Sequence, residues 1–233
     1  MSDAERNLQL GRDATWIAES FAENRYQNLD VRPTQVMPVL VQGVPGLRLE
    51  PMRWGWRPAW SKQLLINART ETVATKAAWR AAYRERRCVV PATCYYEWQA
   101  GPAKRPVAKF AFRDKRGALL LLAGLWATEQ GKDGPEQHFV VLTRTMVLHA
   151  QVHDRTPVML TPDDARAWAD PEAPEQEVAA LLGSQRDVDL VMREVELGAE
   201  KRGAGPEVAK PVEAWPWDGK ALKTTIPRSI SGE

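Results

Sequence analysis

The fold class follows from residues 39–50, which read VLVQGVPGLRLE. An apolar segment, residues 39–41, precedes a turn that contains two glycines and a proline, and residues 47–50 then alternate apolar and charged side chains. Alternation with a period of two places every second side chain on one face of a strand, and Gly/Pro clusters mark turns between strands. The stretch therefore predicts two neighbouring strands joined by a short turn.

More strand-like segments follow, and helices are fewer. Strands are predicted at residues 88–91, 94–98, 107–112, 118–123, 139–143, 158–160 and 188–195, with a hairpin turn at 114–117. Helices are predicted at residues 13–24, 75–86 and 175–182, and Thr161-Pro162-Asp163-Asp164 is a strong helix start. This balance predicts an α+β fold, a single domain around a bent, mostly antiparallel β-sheet or barrel with flanking helices.

The chain is expected to contain one domain with short extensions. Residues 1–9 are interpreted as an N-terminal leader, residues 10–218 as the domain, and residues 219–233 as a flexible basic tail, because hydrophobicity falls after Leu197. We find no apolar run of the roughly 18 residues needed to cross a bilayer, and no signal-peptide core. These features predict a cytoplasmic monomer without a membrane partner.

The composition argues against several kinds of site. Two cysteines and three histidines without ligand spacing predict neither a disulfide scaffold nor a metal site. Neither a phosphate-binding Gly-rich loop nor a dinucleotide fingerprint is present, so no cofactor is expected. The net charge of +2 requires no polyanionic partner, and contact with nucleic acid would depend on local placement of Arg and Lys.

An aromatic and basic segment, RWGWRPAW, occupies residues 53–60. Its glycine and proline exclude a regular strand throughout, so some of the rings of Trp54, Trp56 and Trp60 are expected on a loop. Exposed indole rings beside arginines suit the stacking of unpaired bases and the binding of phosphates. The alternative is that these tryptophans only fill the core, and composition does not decide between the two.

A second polar segment is Asn67-Ala68-Arg69-Thr70-Glu71. On a strand, its Asn, Arg and Glu side chains would project from one face and offer a carboxamide, a cation and a carboxylate. The alternative interpretation is a polar strand end in which Arg69 pairs with Glu71.

Two further residues have the chemistry of acid/base catalysis. Glu97 lies among aromatic side chains in YYEW, where partial desolvation would raise its pKa toward the range useful for proton transfer. His153 lies in HDRTP, beside a carboxylate and the guanidinium of Arg155. The alternatives are an exposed glutamate at a strand edge and a structural histidine.

Five segments together resemble the hallmark motifs of one family, in order and spacing. They are DVRPTQ at 30–35, WGW at 54–56, NARTET at 67–72, RCVVPA at 87–92 with YEW at 96–98, and HDRTPV at 153–158. The resemblance, over roughly residues 10–197, is to the SOS-response-associated peptidases, which process abasic sites in single-stranded DNA. It implies single-stranded DNA, with or without an abasic site, as the partner.

The resemblance also implies roles for individual residues. Asn67 would hold the reacting sugar, Glu97 would assist ring opening, and His153 would act as acid or base. Arg69 and Arg155 would contact the phosphates that flank the lesion. The remaining implied DNA contacts are the rings of Trp54, Trp56 and Trp60.

One departure from the family is severe. Family members begin Met-Cys-Gly-Arg, and the thiol and α-amine of that cysteine capture the abasic aldehyde in a stable cross-link. Here the matching segment is Leu10-Gly11-Arg12, so the nucleophile position carries a leucine that cannot attack an aldehyde. Three hypotheses remain: DNA binding without a stable adduct, rerouted chemistry through Cys94 or an amine, and an inactive module for another partner.

Overall fold

The described part of the chain comprises residues 31–43, 46–102, 105–131, 134–146, 149–183 and 189–195 of a computed structural model. It contains eleven strands: β1 Val36–Gly43, β2 Gly46–Trp54, β3 Asn67–Arg69, β4 Arg87–Ala92, β5 Tyr95–Ala100, β6 Pro106–Asp114, β7 Leu120–Gly131, β8 Gly134–Thr145, β9 Arg155–Pro157, β10 Met159–Leu160 and β11 Leu190–Val195. The four helices are α1 Thr70–Val73, α2 Ala77–Glu85, α3 Pro162–Ala169 and α4 Glu175–Gly183. The predicted helix at residues 13–24, Leu10, the leader and the tail lie outside these residues.

A five-stranded barrel forms the centre of the fold. Its strands follow the order β7-β4-β1-β2-β8, and pairing between β7 and β8 closes the ring. Strand β10 adds to β7, while β3 and β9 add to β8, and a separate three-stranded sheet has the order β11-β6-β5. All pairs are antiparallel except those of β8 with β2 and β3. The structure confirms the predicted α+β class.

Strands β1 and β2 form the hairpin that the opening sequence pattern predicts. Their register runs from Val36 opposite Arg53 to Gly43 opposite Gly46. Alternate residues of β1 enter two different hydrophobic clusters. Leu40 packs in a cluster that includes the helical residue Trp168. Val39 packs in a second cluster with side chains of the three-stranded sheet. The period-two pattern therefore builds a strand that is buried on both faces.

The predicted helices in the described region are confirmed, with small shifts in their ends. The Thr161 hydroxyl accepts from the backbone N–H of Asp164, whose carboxylate in turn accepts from Thr161, so α3 begins with a capping box. Helix α4 ends at Gly183, as predicted. None of the helices in the described ranges has both the length and the apolar character required to cross a membrane.

The turn at residues 114–117 exists, but the hairpin predicted around it is wrong. Gly117 has a φ of +78° and its N–H donates to the Asp114 carbonyl at 3.1 Å, as a tight turn requires. The strands on either side belong to different sheets, because β6 pairs with β5 and β11 while β7 pairs with β4, β8 and β10. A turn sequence such as this one predicts that the chain reverses direction locally, but it does not predict which strands pair with each other.

Candidate functional site

Strand β3 presents Asn67 and Arg69 on its outer face. Ala68 between them is 1% exposed, whereas both neighbours are exposed, as period-two alternation predicts. The strand ends at Arg69 because Thr70 begins α1, so the prediction that Glu71 continues the same strand face is wrong. Asn67 and Arg69 make no side-chain hydrogen bond or ion pair with another residue in the described part of the chain. Both are therefore available to a ligand.

These two residues line an open groove of about 630 Å³. We call it the β3 groove and define it by its lining residues: Trp60, Leu65, Asn67, Arg69, Thr72, Lys76, Ala77, Ala78 and Trp79. The lining combines two cations, a carboxamide and two indole rings, and within the described part of the chain it includes no acidic side chain. Such a surface suits an anionic ligand that also carries flat rings.

The three tryptophans of residues 53–60 have different environments. Trp60 is 66% exposed at the edge of the β3 groove. Trp54 is half-buried, stacks on Phe139, and donates its indole N–H to the Ile66 carbonyl at 3.1 Å. Trp56 is also half-buried, and it packs against Trp79 and donates to the Glu129 carboxylate. Trp60 is therefore the one of these three tryptophans whose ring is exposed enough for a base to stack on it.

Arg155 is engaged within the protein. Its guanidinium donates two hydrogen bonds to the Glu71 carboxylate, at 3.0 and 2.9 Å, and its Nε donates to the Thr143 hydroxyl at 3.1 Å. This ion pair lowers the pKa of Glu71 to about 2. The alternative pairing of Glu71 with Arg69 is wrong, and Arg155 is held in the geometry of a bidentate pair.

Glu97 and His153 lie next to each other. Glu97 is on β5, and its carboxylate approaches His153 Nδ1 at 3.8 Å; Asp154 approaches the same nitrogen at 3.6 Å. The pKa of Glu97 is raised to about 7, mainly by burial; the charge of His153 lowers it in part, and that of Asp154 adds to the rise. The sequence predicted this direction. A carboxyl group with such a pKa is suited to exchange protons near neutral pH.

The structure thus forms two groups of site residues that adjoin at β8. Asn67 and Arg69 line the β3 groove, and neither contacts the Glu97–His153 pair. Arg69 is opposite Thr143 in the β3–β8 register, and Thr143 accepts from the Arg155 side chain. Thr143 therefore lies between the groove and the segment that carries His153.

Sequence reasoning missed two residues of this region, Lys76 and Thr143, and did not identify the partner of Glu71. Lys76 of the β3 groove gave no signal, because a lysine before a helix is common on any surface. Thr143 read as an ordinary strand residue, and Glu71 was assigned to the wrong partner. In the described ranges, no three His, Cys, Asp or Glu side chains lie close enough to share a metal ion.

A family model and individual relatives of similar sequence point to the same family of proteins. A family model described as SOS response associated peptidase matches residues 3–199. The abasic site processing protein YoaM of Bacillus subtilis is 32% identical over 165 residues, which are 67% of this chain and 72% of the relative. The abasic site processing protein YedK of Escherichia coli is 30% identical, over 59% of this chain and 62% of its own length.

Solved structures agree on the fold. A protein of Bordetella bronchiseptica aligns with a TM-score of 0.63 and 24% identity, covering 73% of this chain and 88% of that protein. A phage-related protein of the same organism aligns with a TM-score of 0.60 and 27% identity, covering 71% and 80%.

Proposed function

Because this chain belongs to the SOS response associated peptidase family, we propose that it binds single-stranded DNA at an abasic site. The relatives YoaM and YedK are named for the processing of such sites. The observation that carries the proposal is the composition of the β3 groove, in which Arg69, Lys76, Asn67 and Trp60 surround one open space. Cations, a carboxamide and an exposed indole ring are the groups that phosphates, a sugar and an unstacked base need.

Each groove residue has a distinct contribution in this proposal. Arg69 and Lys76 contact phosphates on either side of the lesion, and their charge makes binding dependent on salt. Trp60 stacks on a base next to the abasic sugar, since its ring is the most exposed of the groove. Asn67 hydrogen-bonds the sugar itself, because a carboxamide offers both a donor and an acceptor.

The Glu97–His153 pair supplies proton transfer at the edge of the site. The pKa of Glu97, about 7, allows the carboxyl group to release and recover a proton near neutral pH. Opening of an abasic sugar to its aldehyde requires movement of a proton from the hydroxyl to the ring oxygen. A carboxyl group and an imidazole 3.8 Å apart are suited to that exchange.

A stable covalent adduct is not part of the proposal. The position that carries the nucleophilic cysteine in the family is Leu10, which has no thiol. We therefore propose binding of the abasic strand without a trapped adduct. Transient imine formation through an amine, strand cleavage and binding of a different partner remain as outcomes of the test.

An oligonucleotide with one abasic site separates these outcomes. We expect a shift in native gels at low salt, no shift in denaturing gels, and weaker binding of a matched strand without the lesion. A denaturing shift that needs borohydride indicates an imine, and a shorter DNA product indicates lyase activity. No native shift at low salt would contradict the proposed function.

Restoring the missing thiol tests whether the rest of the site is intact. The variant Leu10→Cys, in a chain that lacks residues 2–9, places a cysteine directly after the initiator methionine. Once the initiator methionine is removed, we expect the variant to form an adduct that survives denaturing electrophoresis, because the thiol and the freed α-amine of the cysteine can both react with the aldehyde. Leu10→Ser in the same shortened chain is the matched control, and equal behaviour of the two variants would contradict the expectation.

A further inference from the structure

Two backbone groups of Arg155, its N–H and its C=O, face the same imidazole nitrogen of His153. Arg155 is opposite Thr145 in the β8–β9 pair, and the Met146 N–H donates to the Asp154 carbonyl at 2.8 Å. Hydrogen-bonded and non-hydrogen-bonded pairs alternate along antiparallel strands. Asp154 and Met146 therefore form a hydrogen-bonded pair, so the neighbouring pair of Arg155 and Thr145 is a non-hydrogen-bonded one. The N–H and C=O of Arg155 consequently point away from β8. Both approach His153 Nδ1, the nitrogen atom at 3.1 Å and the oxygen atom at 3.2 Å.

Only one of these two contacts is a hydrogen bond in the neutral ring. If Nδ1 carried the proton, it would donate to the Arg155 carbonyl and leave the Arg155 N–H facing another donor. A backbone N–H without an acceptor is rare and costly, whereas a carbonyl with an empty lone pair is tolerated more often. The Arg155 N–H therefore donates to Nδ1, and neutral His153 carries its proton on Nε2.

The Arg155 side chain is fixed at the same time. Its guanidinium is clamped by the Glu71 carboxylate at 3.0 and 2.9 Å, and by the Thr143 hydroxyl at 3.1 Å. The Arg155 side chain is only 16% exposed, whereas the Glu71 side chain is 47% exposed, so the guanidinium is largely buried and the carboxylate end of the pair meets solvent. A residue held at its side chain has little freedom to rotate its backbone amide away from His153.

We propose that Glu71 is a positioning residue for His153: by clamping Arg155, it keeps the Arg155 amide against Nδ1 and makes His153 present an Nε2–H donor. The carboxylates of Glu97 and Asp154 lie at 3.8 and 3.6 Å from Nδ1, beyond hydrogen-bond distance. A ligand oxygen that meets His153 therefore receives a hydrogen bond from Nε2. The relevance of this donor to an abasic sugar rests on the proposed function, but its test needs no DNA.

The tautomer is measured directly by long-range ¹H–¹⁵N correlation spectra of the labelled protein, at a pH where His153 is neutral. His138 provides an internal standard, because its Nδ1 lies 2.9 Å from the Gly55 carbonyl, which only accepts, so neutral His138 carries its proton on Nδ1. The variant His153→Asn assigns the signals. We expect opposite tautomers for His138 and His153. A His153 signal with the proton on Nδ1 would overturn the proposal, whatever the DNA assays give.

The role of Glu71 is tested by Glu71→Gln and Arg155→Lys, since each removes the bidentate pair. We expect either change to convert the single-tautomer pattern of His153 into an average of both forms. Glu50→Gln, which removes the carboxylate paired with Arg48 in the β1–β2 hairpin, is the control and should keep the original pattern. Unchanged His138 signals show that a variant is folded. A folded Glu71→Gln or Arg155→Lys variant with the wild-type His153 pattern would rule out the positioning role.

Discussion

Replacement of Glu97 by glutamine is expected to stabilise the protein at alkaline pH and to leave it unchanged at acid pH. The pKa of Glu97 is about 7 in the folded protein, against an ordinary value of 4.5. Between these values the unfolded chain loses the proton while the folded chain keeps it, so stability falls as pH rises. The pKa difference corresponds to about 3 kcal/mol when the titration is complete, since one pKa unit is about 1.36 kcal/mol.

That value is an upper limit for a physical reason. The pKa of about 7 already includes the attraction of His153, whose Nδ1 lies 3.8 Å from the carboxylate, so that contact adds nothing to the value. The Glu97 side chain is 21% exposed, so water screens the charge in part. We therefore expect Glu97→Gln to raise the free energy of unfolding by about 1 to 3 kcal/mol at pH 8.5 and by much less at pH 5.

Urea denaturation of both proteins at the two pH values measures the effect. Glu172→Gln, which changes an exposed glutamate between α3 and α4, is the control and should give the same small difference at both pH values. A Glu97→Gln variant with equal stability change at pH 5 and pH 8.5 would refute the reasoning, because the effect would then come from packing or hydrogen bonding and not from the buried charge.

Three further predictions concern the groove and the core. Arg69→Gln should weaken binding of single-stranded DNA and reduce the slope of log affinity against log salt by about 0.7, the value expected for one lost phosphate contact; an unchanged slope in a salt titration contradicts that contact. Trp60→Ala should weaken the same binding by about 1–3 kcal/mol, because a base loses its stacking partner. Trp98→Ala, which changes an exposed ring of the three-stranded sheet, is the control and should leave binding unchanged. Equal losses of affinity for the two variants in a titration would show that Trp60 is not a specific stacking site. Arg87→Met should lower the free energy of unfolding by about 2 to 4 kcal/mol. Arg87 is only 5% exposed, and its side chain donates to the carbonyls of Tyr83 and Arg84 at 2.7 Å and of Trp168 at 2.6 Å. A loss below about 0.5 kcal/mol in urea denaturation would show that these hydrogen bonds are dispensable.

Local sequence patterns predicted most strands and helices because their signals lie within a few residues. The alternation in β1 and β2, the capping box at Thr161 and the glycine at the end of α4 all report short-range preferences. The turn at residues 114–117 shows the limit of such signals. Its glycine specifies a reversal of the chain, but the strands that follow it join different sheets for reasons of distant packing.

The motifs indicated which residue types form the candidate site, and their order along the chain indicated the family. They did not specify partners. Glu71 lies two residues from Arg69 in sequence, yet it pairs with Arg155, because the short strand β3 ends at Arg69 and the helical turn α1 redirects the side chain. Lys76 became part of the β3 groove only because the first residues of α2 line the same open space as β3.

The sequence by itself determined the α+β class, the barrel hairpin and the family, because each of these depends on residue identity or on contacts between near neighbours. Only the tertiary structure decided that Trp54 and Trp56 are held by internal hydrogen bonds while Trp60 is exposed, and that the Arg155 amide faces His153. These features depend on strand register between segments that are distant in sequence. Register is set by the packing of the whole barrel, which short-range patterns do not encode.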